Sequence, residues 1–358
     1  MMDAFSDIRF EVFSTCPQSS AVAAADYVEQ VQAVARWSEE AGCKGILVYT
    51  ENSLVDPWLV SQIILQSTKE LCPLVAVQPV YMHPYSIAKM VSSLAHMYGR
   101  RLYLNMVAGG YTTELTALGD TTAHDKRYAR LIEYTGIIKR LLENAEPVTL
   151  EGQFNAVRNL RMTPPLPPEL LPGVFVSGSS EAGLAAAKAL GATPVRYPKP
   201  AAEYGPADTA DCTGSGVRVG VIARPSADEA WRVAHERFPT DKKGQLAHKL
   251  AMKVSDSAWH KQMSDLAAQT AVTQDTPYWL VPFENYKTFC PYLVGNYRVV
   301  SDELARYAAA GYGTFILDIP PTREELIHTG EVFGLALTKA RRLKSSALRD
   351  PARQGLGG

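Results

Sequence analysis

Asn105 stands near the end of an apolar run, LYLNMVAGG (102–110), with Gly109 and Gly110 just behind it. An amide followed by two glycines suits a flat, polar ligand lying on the end of that run. The amide supplies hydrogen bonds, and glycine lets the backbone come close. Further on, Gly178-Ser179-Ser180 precedes a helical pattern that starts near Glu181. Free backbone N–H groups at a helix start, with two hydroxyls, make a seat for phosphate. Ordinary N-capping by Ser179 or Ser180 accounts for the same residues. A third group, His124, Arg127 and Tyr128, is spaced to share one helix face, which turns apolar with Leu131, Tyr134 and Ile138. Polar groups at the N-terminal end of a buried stripe suit a polyanion; the competing reading is a solvated first turn with Tyr128 half in the core. Glu51 stands at the end of one apolar run and His83 just beyond another, and the run 216–224 carries Arg218.

These residues need elements to hold them. Short runs rich in Val, Ile and Leu recur: IRFEVFS (8–14), GILVYT (45–50), LCPLVAVQPV (71–80), RLYLNMV (101–107), GVFVSGS (173–179), TPVRYP (193–198), GVRVGVIAR (216–224) and GTFILDI (313–319). A helical pattern follows nearly every run, as in YVEQVQAVARWSEEAG, which Gly42 stops. Strands without polar alternation are covered on both faces, and their alternation with helices argues for a parallel sheet. Eight such units predict an α/β fold, a (β/α)8 TIM barrel, with the site at the C-terminal ends of the strands. The rival is an open doubly wound sheet, which would carry a glycine fingerprint after the first strand; FSTCPQSS is not one. Residues 147–172 read as a hairpin and a proline-rich connector. Residues 240–300 read as an insertion between strands seven and eight, helical at first, then crowded with aromatics and prolines. That second half is either a lid over a pocket or packing for the barrel or a second subunit. The expected division is one barrel domain over 1–340 and a polar tail over 341–358.

Composition narrows the function. The 358 residues carry Lys+Arg 36 against Asp+Glu 37, a net charge of −1, with no basic run that would suit nucleic acid. The apolar runs are too short to span a membrane, and the N-terminus lacks the pattern of a signal peptide. The five cysteines have no CxxC spacing and suit free thiols in a reducing cytoplasm. The seven histidines form no metal-binding pattern.

In order and spacing, GILVYTENSLVDPWLVSQ (45–62), LYLNMVAGG, the H-x-x-R-Y of 124–128, GSSEAG (178–183), VRVGVIARPSADEAW (217–231) and LVGNYRVVSDELARYAAAGYGTFIL (293–317) together resemble the bacterial luciferase-like flavin monooxygenases, in their alkanesulfonate monooxygenase branch. The resemblance implies a TIM barrel with an insertion between strands seven and eight. It also implies reduced FMN supplied by an NAD(P)H-dependent flavin reductase, O2 as cosubstrate, and a homo-oligomer, dimer or tetramer. It places Asn105, Gly109 and Gly110 along the isoalloxazine, His124 and Tyr128 against the flavin or its ribityl chain, and Gly178, Ser179 and Ser180 on the phosphate. Arg218 becomes the expected stabiliser of an anionic oxygen, with a structural ion pair as its other reading, and general base work falls to Glu51, His83 or a group on the substrate. The substrate half departs from the family. Its Arg-x-His in strand seven is here Arg218-Val219-Gly220; Leu54 stands for a cysteine and Pro320 for a tyrosine, and Tyr286 and Lys287 lie near an expected arginine. A related monooxygenase acting on something other than a simple alkanesulfonate is therefore expected. The alternatives are an F420-dependent oxidoreductase of the same fold and a non-catalytic flavin-binding relative.

Overall fold

Eight of the apolar runs become parallel strands that close on themselves. In the computed structural model, which describes residues 10–143, 146–205, 212–254 and 276–349, they are β1 (Glu11–Thr15), β2 (Gly45–Val48), β3 (Cys72–Val77), β4 (Tyr103–Val107), β7 (Gly173–Ser177), β8 (Thr193–Arg196), β9 (Gly216–Arg224) and β12 (Thr314–Leu317). The ring runs β12-β1-β2-β3-β4-β7-β8-β9, and β9 returns to β12 with Gly216 opposite Thr314. This is the expected TIM barrel. The hairpin is present as β5 (Val148–Glu151) and β6 (Ala156–Leu160), paired antiparallel.

The barrel interior is a plug of one inward residue from most strands: Phe13, Leu47, Leu74, Tyr103, Phe175, Val195 and Ile316. The Phe13 ring meets Tyr103 and Phe175 edge-on at 5.2 and 5.4 Å. Side chains on a strand alternate, so each next inward residue lies two positions further on. Counting two on gives Thr15, Tyr49, Ala76, Asn105, Ser177, Tyr197 and Asp318, and on β9 the residue two on from the paired Gly216 is Arg218. The apolar plug is thus the floor under a second, largely polar layer.

The helices surround this ring: α1 (Tyr27–Glu40), α2 (Pro57–Ser67), α3 (Pro84–Tyr98), α4 (Thr112–Ala117), α5 (His124–Glu143) and α6 (Glu181–Leu190) precede β9. Their ends are specified locally. Asp56 accepts from the Trp58 and Leu59 N–H groups to cap α2, ahead of Pro57 at the first helical position. On α5, Leu131, Tyr134, Ile138 and Leu141 form the buried stripe, packed on α3 and α6. Glu133, on its other side, accepts backbone N–H bonds from Gln153 and Phe154 and so ties the hairpin turn to α5.

Two regions differ from the sequence reading. The final helix runs Arg323–Arg349, so the segment expected as a polar tail from 341 is helical through 349. Residues 350–358 lie outside the described residues. The insertion begins with a helix, Lys242–Val254, as expected, and its residues 255–275 lie outside the described residues. Its aromatic half then adds strands β10 (Tyr278–Trp279) and β11 (Tyr292–Asn296), which the sequence reading missed. β11 is a strand because it completes a split pairing. The first half of β9, Gly216–Val219, pairs with β12 in the barrel, and its second half, Gly220–Arg224, pairs in parallel with Tyr292–Asn296. Tyr278, Trp279 and Phe283 are buried against this small sheet.

Candidate active site

The C-terminal mouth of the barrel opens into a cleft with about 1150 Å3 of empty space, its open mouth included. The polar layer forms its base: Tyr49, Ala76, Asn105, Ser177, Tyr197 and Arg218 all line it. Glu51, Gly109, Gly110, His124, Tyr128, Gly178, Ser179 and Ser180 line it as well. One cleft therefore gathers ten of the eleven sequence-derived site residues: these eight with Asn105 and Arg218. His83 is the exception. It is exposed, and its Nδ1 accepts the Tyr85 N–H at 3.1 Å, capping α3. Its expected role as a base in the cleft is corrected to that of a helix cap.

Asn105 is 5 % exposed and accepts the Ser177 hydroxyl on Oδ1 at 2.8 Å, from the neighbouring strand. That bond orients the amide and leaves its two N–H donors for the cleft. Gly109 adopts φ +96°, which glycine alone takes without strain, and so turns the chain away from the strand end. Gly110 shows no such need: a side chain there would meet open space.

At the end of the adjacent strand β7, Gly178 lies against Tyr128. A Cβ at Gly178 would fall 2.3 Å from the Tyr128 hydroxyl, so glycine is needed for α5 and the start of α6 to approach. Tyr128 in turn packs edge-on against His124, ring centres 5.2 Å apart. Arg127 is not part of this group; its guanidinium turns aside and donates to the Thr122 carbonyl at 3.1 Å. The two serines separate. Ser180 accepts the Gly183 N–H at 3.1 Å and caps α6. Ser179 Oγ is buried and has no hydrogen-bond partner among the described residues. Capping thus explains one hydroxyl and leaves the other beside the N–H groups of a helix start.

Arg218 is 7 % exposed. Its guanidinium lies over the Tyr49 ring, 4.8 Å from the centroid, and Nη2 is 3.8 Å from Asp318 Oδ1. Nε and Nη2 lack hydrogen-bond partners. Asp318 is engaged elsewhere: its Oδ2 accepts the hydroxyls of Thr288 (2.6 Å) and Tyr292 (2.7 Å). A loose ion pair with Asp318 thus holds Arg218, while Nε and Nη2 keep their donors free among the described residues. The other arginine of β9, Arg224, is bound to Glu325 outside the cleft. Glu51 holds only the Ser53 hydroxyl, at 3.3 Å, and burial pushes its carboxyl above the usual range.

The insertion reaches the cleft through Phe289, which lines it, and Tyr286, which hydrogen-bonds Tyr111 of the same lining. Lys287 points to Asp241, 2.8 Å away. The aromatic half of the insertion thus packs on β9 and also lines part of the cleft. The sequence reading missed Tyr111, Ser177, Tyr197 and Phe289 as site residues. Counting two on from the plug finds Ser177 and Tyr197; no sequence signal marks Tyr111 or Phe289.

A second chamber, about 1050 Å3 with its mouth, shares Thr50, Glu51 and Ala76 with the cleft and runs between α2, α3 and α4. Leu54, Trp58, Gln78 and Tyr81 stand in its wall.

Residues 8–314 match the sequence profile of the luciferase-like monooxygenases. The chain belongs to that family. Among its members, the 4-(gamma-L-glutamylamino)butanoyl-BtrI acyl-carrier protein monooxygenase BtrO of Niallia circulans is 34 % identical over 313 residues, 86 % of this chain and 91 % of that protein. The long-chain alkane monooxygenase LadA shares the fold at a TM-score of 0.70 and 15 % identity, covering 94 % of this chain and 92 % of its own. The EDTA monooxygenase EmoA of Chelativorans sp. BNC1 does so at 0.69 and 16 %, covering 91 % and 93 %. At Gly220, where the resemblance implied a histidine, the structure leaves no room for a side chain. A Cβ at Gly220 would fall 2.4 Å from the Tyr292 ring. Tyr292 of β11, 1 % exposed, fills the space beside the strand, and its hydroxyl reaches Asp318.

Proposed function

We propose that the chain is the oxygenase of a two-component system. It takes reduced FMN from an NAD(P)H-dependent flavin reductase, uses O2, and oxygenates a small organic substrate that is not a simple alkanesulfonate. The observation that carries this reading is Ser179 Oγ: a buried hydroxyl without a partner, at a helix start whose own cap is already supplied by Ser180. A phosphate would complete it. The donors of Arg218 fit an anionic group in the same cleft, and the Gly178–Tyr128 approach leaves the wall narrow and flat.

When bound, reduced FMN supplies the two electrons that let one oxygen atom of O2 reach the substrate while the other leaves as water. The chain's own residues bind, orient and exclude water. Ser179 and the α6 N–H groups hold the phosphate. Asn105, fixed by Ser177, donates to the polar edge of the ring system. Arg218, braced on Tyr49, offers fixed positive charge to an anionic oxygen. Phe289, Tyr111 and Tyr197 keep the cleft dry. Glu51, whose carboxyl burial raises, stands in the lining where it can take up or release a proton. The named substrate of the Niallia relative, an amide-bearing acyl chain on a carrier protein, supports testing acyl thioesters and amides.

A cytoplasmic setting suits five cysteines that are all free, and a dimer or tetramer is the assembly proposed. Anaerobic titration with reduced FMN and with reduced F420 tests the cofactor. Saturable binding of reduced FMN, with oxygen uptake above the reductase background once substrate is present, is the expected result. Preference for F420, or no binding of reduced FMN, overturns it.

A further inference from the structure

The second chamber has a charge pattern of its own. Among the described residues no lysine, arginine or histidine lines it. Of its two carboxylates, Asp56 is committed to capping α2. Glu51 accepts only the Ser53 hydroxyl and pairs with no cation among the described residues. Glu114, close by, adds a second negative charge to its surroundings. A half-buried carboxylate without a cation is costly, and desolvation raises the Glu51 carboxyl accordingly. An arriving ammonium would reverse that cost.

Gln78 gives the independent observation. It lines the same chamber, is 6 % exposed, and its Nε2 has no hydrogen-bond partner. An amide donor left unsatisfied in a protein interior is costly. The neighbouring polar groups do not relieve it, because they satisfy one another: Tyr81 Oη donates to Asn52 Oδ1 at 2.6 Å, and Asn52 Nδ2 donates to the Glu114 carbonyl at 3.3 Å. Trp58, Met82 and Ile87 supply an apolar wall for a methylene stem. Since Thr50, Glu51 and Ala76 belong to both spaces, a ligand here lies next to the cleft.

We propose that this chamber binds the substrate, and that it selects an aliphatic amide carrying a primary amine: the ammonium pairs with Glu51 and the amide carbonyl accepts from Gln78 Nε2. The substrate role rests on the reading of the cleft as the flavin site; the charge selectivity rests on the chamber alone.

Three probes with one acetamide and different ends test it by calorimetry without flavin, with Trp58 fluorescence as a second reading: N-(4-aminobutyl)acetamide, N-pentylacetamide and 5-acetamidopentanoate. The amine-ended probe is expected to bind at least tenfold more tightly than the other two. Glu51→Gln should abolish that advantage, and Gln78→Leu should weaken all three about tenfold. Equal or tighter binding of the neutral or acidic probe, an advantage that survives Glu51→Gln, full affinity in Gln78→Leu, or no binding of any probe overturns the proposal. Anaerobic titration of the same preparation with reduced FMN separates the two readings. An amine preference without flavin binding sinks the flavin site and spares the chamber; flavin binding without an amine preference does the reverse.

Discussion

Ser179 and Ser180 are neighbours with the same hydroxyl, and the structure gives them different work. Ser180→Ala removes the α6 cap and is expected to cost about 1 kcal/mol, read as a lower thermal midpoint. Ser179→Ala removes no hydrogen bond of the free protein. Its midpoint should stay within a degree of the parent, while affinity for reduced FMN should fall about tenfold, the size of one charge-assisted bond. If the two variants exchange these effects, the phosphate seat is misassigned. Gly220 makes a second residue-scale test. Adding a methyl group there meets the rigid Tyr292 ring, so Gly220→Ala should cost about 1–3 kcal/mol. With Tyr292→Leu in place the same substitution should cost much less, a coupling that a double-mutant cycle of thermal midpoints measures. The serine motif was visible in the sequence, but which serine caps was not, because capping depends on the backbone angle at a single residue. The missing histidine was visible at Gly220. The tyrosine that fills its place was not, because Tyr292 stands 72 positions away and meets Gly220 only through strand pairing.

At the scale of elements, local chemistry holds the barrel's joints. Glu39, near the end of α1, accepts the backbone N–H groups of Lys69, Glu70 and Leu71 at 2.8, 2.6 and 3.0 Å, just before β3. Burial alone would raise its carboxyl; these three donors and Arg100 outweigh that and hold it below the usual range. A folded-state pKa below the unfolded one adds stability above the unfolded value, about 4.3, and loses it as pH falls further. Glu39→Ala should therefore cost about 1–2 kcal/mol at pH 7. The gap between its thermal midpoint and that of the parent should shrink from pH 5 to pH 3. A gap that widens on acidification contradicts the assignment. The eight barrel strands were legible because each is a short apolar run ahead of a helical pattern. β10 and β11 were not, because YW and YLVGN sit among prolines and aromatics and owe their conformation to the free half of β9. The same context dependence explains His83: its position beyond β3 suggested the cleft, but a cap follows the helix rather than the strand.

For the whole molecule, ligand binding is a stability term. A flavin that binds only the folded chain stabilises it by RT ln(1 + [L]/Kd), about 2.7 kcal/mol at one hundred times Kd. Reduced FMN under argon should raise the thermal midpoint by several degrees. Reduced riboflavin, which lacks the phosphate, should raise it less at equal concentration, and the difference should vanish in Ser179→Ala. Equal shifts from both in the parent would remove the phosphate from the account. No helix among the described residues is long and apolar enough to cross a membrane.

β9 is shared between two sheets, its lower half a barrel stave and its upper half the spine of the insertion. The guanidinium at the base of the cleft and the strand that anchors its cover are thus parts of one continuous backbone, two residues apart at Arg218 and Gly220. A chimera that exchanges residues 240–300 with another family member inherits a new neighbour for this chain's Gly220 and, through Asp318, a new brace for Arg218. Transplanted substrate preference would need the stave and the cover to travel together.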